Sequence, residues 1–167
     1  MRGKVLLLRR GTLLLILTAL VAAGIFMAVG GPGFVSASAA KRQLPIYSVE
    51  REEKVCAISF DAAWGNEDTQ ALIDILGKYN VKATFFVVGD WVDKYPESVK
   101  ALHDAGHEVM NHSLHHDHYN ALTADQVVAD VTACNEKIAA ITGVTPCLIR
   151  CPYGEDDDHV ISAIPVS

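Results

Sequence analysis

From Lys54 onward, short apolar runs alternate with segments of helical period, and this alternation restricts the fold more than any other feature of the 167 residues. The run KVCAISF at 54–60 reads as a strand ending in Asp61. KATFFVVG at 82–89 is a second, almost unbroken apolar strand, the pattern of a strand covered on both faces. HEVMN at 107–111 and CLIR at 147–150 give a third and a fourth. Between them lie helical patterns. In residues 65–80, Asn66 is the expected N-cap, Glu67 and Asp68 suit the first turn, and Leu72, Ile75, Leu76 and Tyr79 mark one face. Residues 96–106 have Pro96 in the first turn and Gly106 past the end. TADQ at 123–126 spells a capping box, with Leu122 and Val127 as its staple. Val127, Val131, Cys134, Ile138 and Ile141 follow at helical spacing up to Gly143, and residues 156–164 start another helix. Strand–helix alternation means βαβ units, hence an α/β fold with a parallel sheet or barrel and its chemistry at the carboxyl ends of the strands.

The N-terminus is of a different kind. Arg2, Lys4, Arg9 and Arg10 precede an apolar run over residues 12–29, which Gly30-Gly31-Pro32-Gly33 terminates. The run approaches the roughly 20 residues needed to cross a bilayer and exceeds a usual signal core of about 7–15. The chain is therefore divided into a basic cytoplasmic flank (1–11), a transmembrane or signal segment (12–29), a linker (30–53) and a folded domain (54–167). The basic flank stays inside. The expectation is a single-pass protein of the cell membrane with its C-terminal domain outside. Secretion after cleavage near VSASAA, residues 35–40, is the alternative.

Four of the 14 basic side chains precede residue 40, whereas all 20 acidic ones follow residue 49. The exported part is thus acidic, and no nucleic-acid partner is expected, since phosphate binding needs a basic face. Of four cysteines, Cys56 and Cys134 read as core residues. Cys147 and Cys151 bracket the fourth strand, with pairing left open. No CxxC occurs, so neither a zinc ribbon nor a thioredoxin motif is supported.

The stretch NHSLHHDH, residues 111–118, holds four of the seven histidines. His112 and His116 are four apart at a strand end, close enough to converge on one ion, and neutral imidazole is a common ligand for zinc and similar metals. The segment is not a helical zincin motif, because three residues separate Glu108 from His112 on a strand. The sequon Asn111-His112-Ser113 is discounted in favour of the ligand motif.

Four clusters occur in order, each at an expected strand end: SFDAAWG, ATFFVVG, GHEVMNHSLHH and RCPYG. Together they resemble the NodB-type polysaccharide deacetylases of carbohydrate esterase family four, and the SFDAAWG form is most similar to their sporulation-associated branch. The resemblance covers residues 54–164. It implies a distorted (β/α) barrel, of which this chain is the N-terminal part. It also implies a divalent metal, Zn2+ first with Co2+ or another ion as alternatives, and hydrolytic removal of N-acetyl groups from an N-acetylated cell-envelope polysaccharide. Carried over residue by residue, it makes His112 and His116 the metal ligands, Asp61 the general base, Arg150 the residue that holds that base, and Tyr153 the position whose backbone N–H binds the oxyanion. His103, His107, His115, His118 and His159 match no family position and read as surface or hydrogen-bonded residues.

The sequence departs from the family pattern at three places. A second aspartate often follows the base as a metal ligand, and here that position is Ala62. The proline that often follows the second histidine is Asp117. The later motifs, including the histidine that protonates the leaving amine, would fall beyond residue 167. The chain is accordingly expected to be a truncated domain, weak in Zn2+ binding and inactive alone. The alternative is a non-catalytic glycan-binding or structural protein of the envelope.

Overall fold

A computed structural model describes residues 10–30 and 42–164. It comprises two compact units, Met1–Arg42 and Gln43–Ser167. The basic flank before residue 10, the stretch 35–40 and the tail after Ile164 lie outside the described residues. In the first unit, helix α1 (Arg10–Gly30) covers the predicted apolar segment. Its 21 residues span about 32 Å at 1.5 Å each. By length and composition it can cross a membrane. Leucines 13, 14, 15, 17 and 20 are all exposed on it.

The second unit is built around a parallel sheet in the order β1-β2-β3, with β1 at Ser59–Ala62, β2 at Thr84–Val87 and β3 at Glu108–Asn111. Asp61 stands in register with Phe86, and Phe86 with Met110. Helices α2 (Thr69–Lys78), α3 (Gly89–Lys94), α4 (Pro96–Asp104), α5 (Ala124–Thr142) and α6 (Asp158–Ala163) connect and cover it. The apolar strand β2 is sheathed as its composition requires: Phe85, Phe86 and Val87 are all buried. Helix α5 follows its sequence signals closely. Thr123 and Gln126 form the reciprocal capping box, Gly143 ends the helix in the left-handed region at φ 73°, and Val127, Val131, Cys134 and Ile138 are buried along one stripe. Each such side chain contributes about 1.5–3 kcal/mol on leaving water. The staple residue Leu122 packs in the same cluster as Val127.

Several local expectations are corrected. Strand β1 begins at Ser59, and Cys56 is exposed and not in the core. Its neighbour β2 begins at Thr84, whose N–H already reaches Ile58 O, so among the described residues those further back face no strand. In α2 the buried side is Leu72, Ile73 and Leu76, while Ile75 and Tyr79 are exposed, because the helix turns its Leu76 edge to the core. Asp68 occupies the N-cap position; Asn66 instead gives its amide to Ser98 Oγ. The segment 147–150 makes a single parallel bridge, Asn111 to Ile149, and not a strand. Cys147 is exposed and Cys151 half-buried, and all four thiols are free. Helix α3 was not anticipated. It starts directly at Gly89, where a Cβ would lie 2.7 Å from Leu114 Cδ1, so only glycine admits the His-rich loop this close to β2.

Candidate active site

The His-rich loop leaves β3 at Asn111 and is fixed by hydrogen bonds from the side and from below. Asn111 is wholly buried. Its amide donates to Val131 O and Asn135 Oδ1 on α5, and its Oδ1 accepts from Ser113 N at 2.7 Å. Asp130, also on α5, accepts from Leu114 N and from the Tyr119 hydroxyl. The first N–H groups of α3, on Gly89 and Asp90, donate to the carbonyls of Ser113 and Leu114. These bonds hold two non-glycine residues at positive φ, Ser113 at 75° and His116 at 61°. Ser113 Oγ accepts from His116 N and sets the second turn.

The result brings all five anticipated residues to one pocket of about 360 Å³. Asp61, His112, His116, Arg150 and Tyr153 line it, with Trp64 at its edge. His112 is 4% exposed. Its Nδ1 lies 2.7 Å from Arg150 O, and because a carbonyl can only accept, Nδ1 carries the proton and Nε2 keeps a lone pair. Burial pushes the His112 pKa down, opposed by that bond to the Arg150 carbonyl. The ring of His116 stands edge-on to His112, with centroids 4.9 Å apart, and its Nδ1 is buried with no hydrogen-bond partner. Across the pocket, Arg150 Nη1 donates to Asp61 Oδ1 at 2.6 Å and Nη2 to Ser59 Oγ at 2.8 Å. The same guanidinium lies 4.3 Å above the Phe86 ring, which restrains its plane. Tyr153 sits in the left-handed region at φ 58°, costly for a bulky residue. Its ring is stacked by His118 at 4.0 Å, and His118 is held in turn by Glu155 at 2.7 Å.

The donor set suits one small divalent cation at the two imidazoles. One offers a free Nε2 and the other a buried nitrogen that nothing in the protein satisfies. Among the described residues, no group of three His, Cys, Asp or Glu side chains is placed to hold a metal. Ala62 offers no ligand atom, and Asp61 is engaged by Arg150.

The other histidines serve elsewhere. His115 pairs with Asp90 on the exposed side, His159 faces Leu122 O, and buried His107 accepts from Ala83 N. Asp117 is exposed on the loop. Sequence reasoning quoted Ser59, Trp64, Asn111 and Cys151 within its motifs without giving them a role at the site, and missed Asp130. Only Asn111 carried a readable sign, as a short polar residue that can bond the backbone two residues on where a strand must turn.

An acid held by a guanidinium, facing two imidazoles at the carboxyl edge of a parallel sheet, defines an α/β protein with a hydrolase-like pocket. The chain belongs to the polysaccharide deacetylase family, whose model matches residues 48–165. It is 35% identical over 116 residues to the peptidoglycan-N-acetylmuramic acid deacetylase PdaA of Bacillus subtilis, an alignment covering 69% of this chain and 44% of PdaA. The solved structure of the B. subtilis peptidoglycan deacetylase PdaC superposes with a TM-score of 0.63 at 34% identity, over 71% of this chain and 60% of that one. A carbohydrate esterase family pseudoenzyme from Bacillus anthracis superposes at 0.65 with 33% identity, over 67% and 40%. A mutant of that pseudoenzyme has restored enzymatic activity. The chain thus spans less than half the length of PdaA and about three fifths of the PdaC structure. The match to these solved structures confirms the expected fold, an α/β fold of the polysaccharide deacetylase type.

Proposed function

We propose that this chain carries the metal-binding and base-bearing part of a polysaccharide N-deacetylase that acts on a peptidoglycan-like or chitin-like glycan outside the cell. The observation that carries the reading is the convergence of Asp61, Arg150, His112 and His116 on one pocket. His112 Nε2 and His116 would hold a divalent cation, Zn2+ by preference. When bound, such a cation acidifies water and polarises the acetamido carbonyl. Asp61 takes a proton at the Oδ that Arg150 does not hold, and the guanidinium, bonded to the other oxygen, aims the carboxylate. The bond from His112 Nδ1 to Arg150 O fixes the tautomer that leaves Nε2 open. Tyr153, held at its left-handed turn, presents a backbone N–H toward developing oxyanion charge. Helix α1 would anchor the domain in the membrane with the pocket outside, as its apolar length allows. The form of the SFDAAWG motif supports a role in sporulation.

Ala62 favours a second reading, a glycan-binding protein without hydrolytic activity. Without a carboxylate there, His112 and His116 would be the two side chains left to hold a cation, and its affinity would be lower. One experiment separates the two. Acetate release from peptidoglycan and from N-acetylglucosamine oligomers is measured for the full chain with Zn2+, with chelator, and for Asp61→Asn and Ala62→Asp. Zn2+-dependent release that Asp61→Asn abolishes supports the deacetylase. Glycan binding without release, with release gained in Ala62→Asp, supports the second reading. Neither binding nor release in any form overturns both.

A further inference from the structure

Trp64 is 78% exposed, an unusual position for the largest apolar side chain. It is not on a loose loop. The indole N–H of Trp91, itself 2% exposed, reaches the backbone oxygens of Trp64 and Gly65 at 3.1 and 2.7 Å. A buried tryptophan thus fixes the backbone that holds an exposed one. The Trp64 ring lies 5.4 Å from His116, and His116 lies 4.7 Å from the exposed ring of Tyr153. Trp64, His116 and Tyr153 therefore form a row of rings along the pocket that also holds Asp61 and Arg150. The one guanidinium there is paired with Asp61, so the surface beside the row suits a neutral ligand better than an anion.

We infer that Trp64 is a stacking platform for a pyranose ring, placed so that a hexosamine unit of a neutral glycan lies on the indole while its acetamido group enters the pocket. The inference rests on the deacetylase reading and adds its substrate-binding residue. The physical basis is the indole face. Its negative quadrupole attracts the C–H groups on the apolar side of a sugar ring, and the ring's flatness matches that side in shape. An amphipathic face is therefore left in water because a partner of the same character covers it in use. The row continues past Trp64, so an oligomer has more to contact than a monosaccharide.

The test uses the full chain in a detergent without a sugar headgroup. The probe is the N-acetylglucosamine tetramer, and binding is read by calorimetry and by tryptophan emission. Removing the Trp64 side chain leaves the bonds from Trp91 intact, since both go to backbone oxygens. Trp64→Ala is expected to weaken tetramer binding roughly tenfold or more, about 1.4 kcal/mol. Trp64→Phe should retain most of the affinity, and Zn2+ binding should be unchanged in both. Tetramer binding that Trp64→Ala leaves untouched overturns the platform and spares the deacetylase reading. Loss of Zn2+ binding together with sugar binding in Trp64→Ala also overturns it, because the side chain would then be holding the site together. A parent chain that binds no tetramer at all overturns the reading and the platform with it.

Discussion

The two walls of the pocket are held by opposite means. On the histidine side, Asn111, His112 and Ser113 are buried, and Asn111 and Asp130 brace the loop against α5 through buried and part-buried bonds. On the acid side, Asp61 and Arg150 keep 42% and 40% of their side chains exposed, and among the described residues β1 pairs with β2 alone. The first wall resists change through desolvated hydrogen bonds, each costly to leave unmade. The second owes its geometry to a bidentate-capable guanidinium braced by Ser59 and Phe86, an arrangement worth little in stability at such exposure. Alignment of the acid can therefore be tuned without endangering the fold, whereas the loop cannot.

The largest effect should come from the braced wall. Asp130→Ala strips the partner from Leu114 N and from the Tyr119 hydroxyl and should cost about 3 kcal/mol in urea unfolding. Asp61→Ala should cost under about 1 kcal/mol in the same assay. Equal costs would break the comparison.

Acid should attack the same wall next. Burial is the first cause lowering the pKa of both His112 and His107, so the folded state binds fewer protons than the unfolded chain. Stability is then full above the unfolded histidine value of about 6.5 and declines as pH falls through the lowered folded values. Urea midpoints measured from pH 7.5 to pH 5 should fall, and His107→Gln should flatten part of the slope. A midpoint that rises toward pH 5 would contradict the assignment.

Arg150→Lys keeps the charge but loses the fork and the stacking on Phe86. The expected change is about 1 kcal/mol or less in stability, with a much larger loss of any acetate release. A stability loss matching that of Asp130→Ala would show the acid wall to be structural after all.

The smallest effect concerns the rim. The hydrogen bond from His118 is the first cause that lowers the Glu155 pKa. In His118→Ala, an NMR titration should find the Glu155 carboxyl back near the ordinary carboxylate range, and the Tyr153 ring freer without its stacking partner. A Glu155 titration unchanged by the substitution would exclude His118 as the partner.

What the sequence disclosed divides along the reach of each signal. The capping box of α5, its stop at Gly143 and its buried stripe are determined within one helix, and all are present as read. Asp61 and His112 meet because strand ends in a parallel sheet share an edge, a rule that needs only the strand order, whereas His116 arrives through the turn at Ser113 and Arg150 and Tyr153 follow the isolated bridge at Ile149. Features that depend on a neighbour were illegible. Cys56 looks like a core residue until β2 is seen to start too late to cover it. Ile75 and Leu76 are equal as letters, and only the packing of α2 decides which is buried. Helix α3, only six residues long, is too short for a periodic signal, and the bridge at Ile149 needs Asn111 opposite it. Trp64 stands inside the SFDAAWG motif, but the letters do not show its exposure or that its backbone is held by a residue 27 positions away.

Arg150 touches the histidine wall through its main chain and the acid wall through its side chain, and the bridge at Ile149 sets where it falls along β3. Inheritance should therefore treat the connection from Gly143 to Ile149 unequally. Val144, Cys147 and Leu148 can drift, because they face solvent, whereas Gly143 is kept by its left-handed turn and Pro146 by burial. The length of the connection cannot drift. A single inserted or deleted codon there would leave α5 and all three strands intact, yet present a different residue at the bridge. Imidazole and carboxylate would lose their common holder in one step.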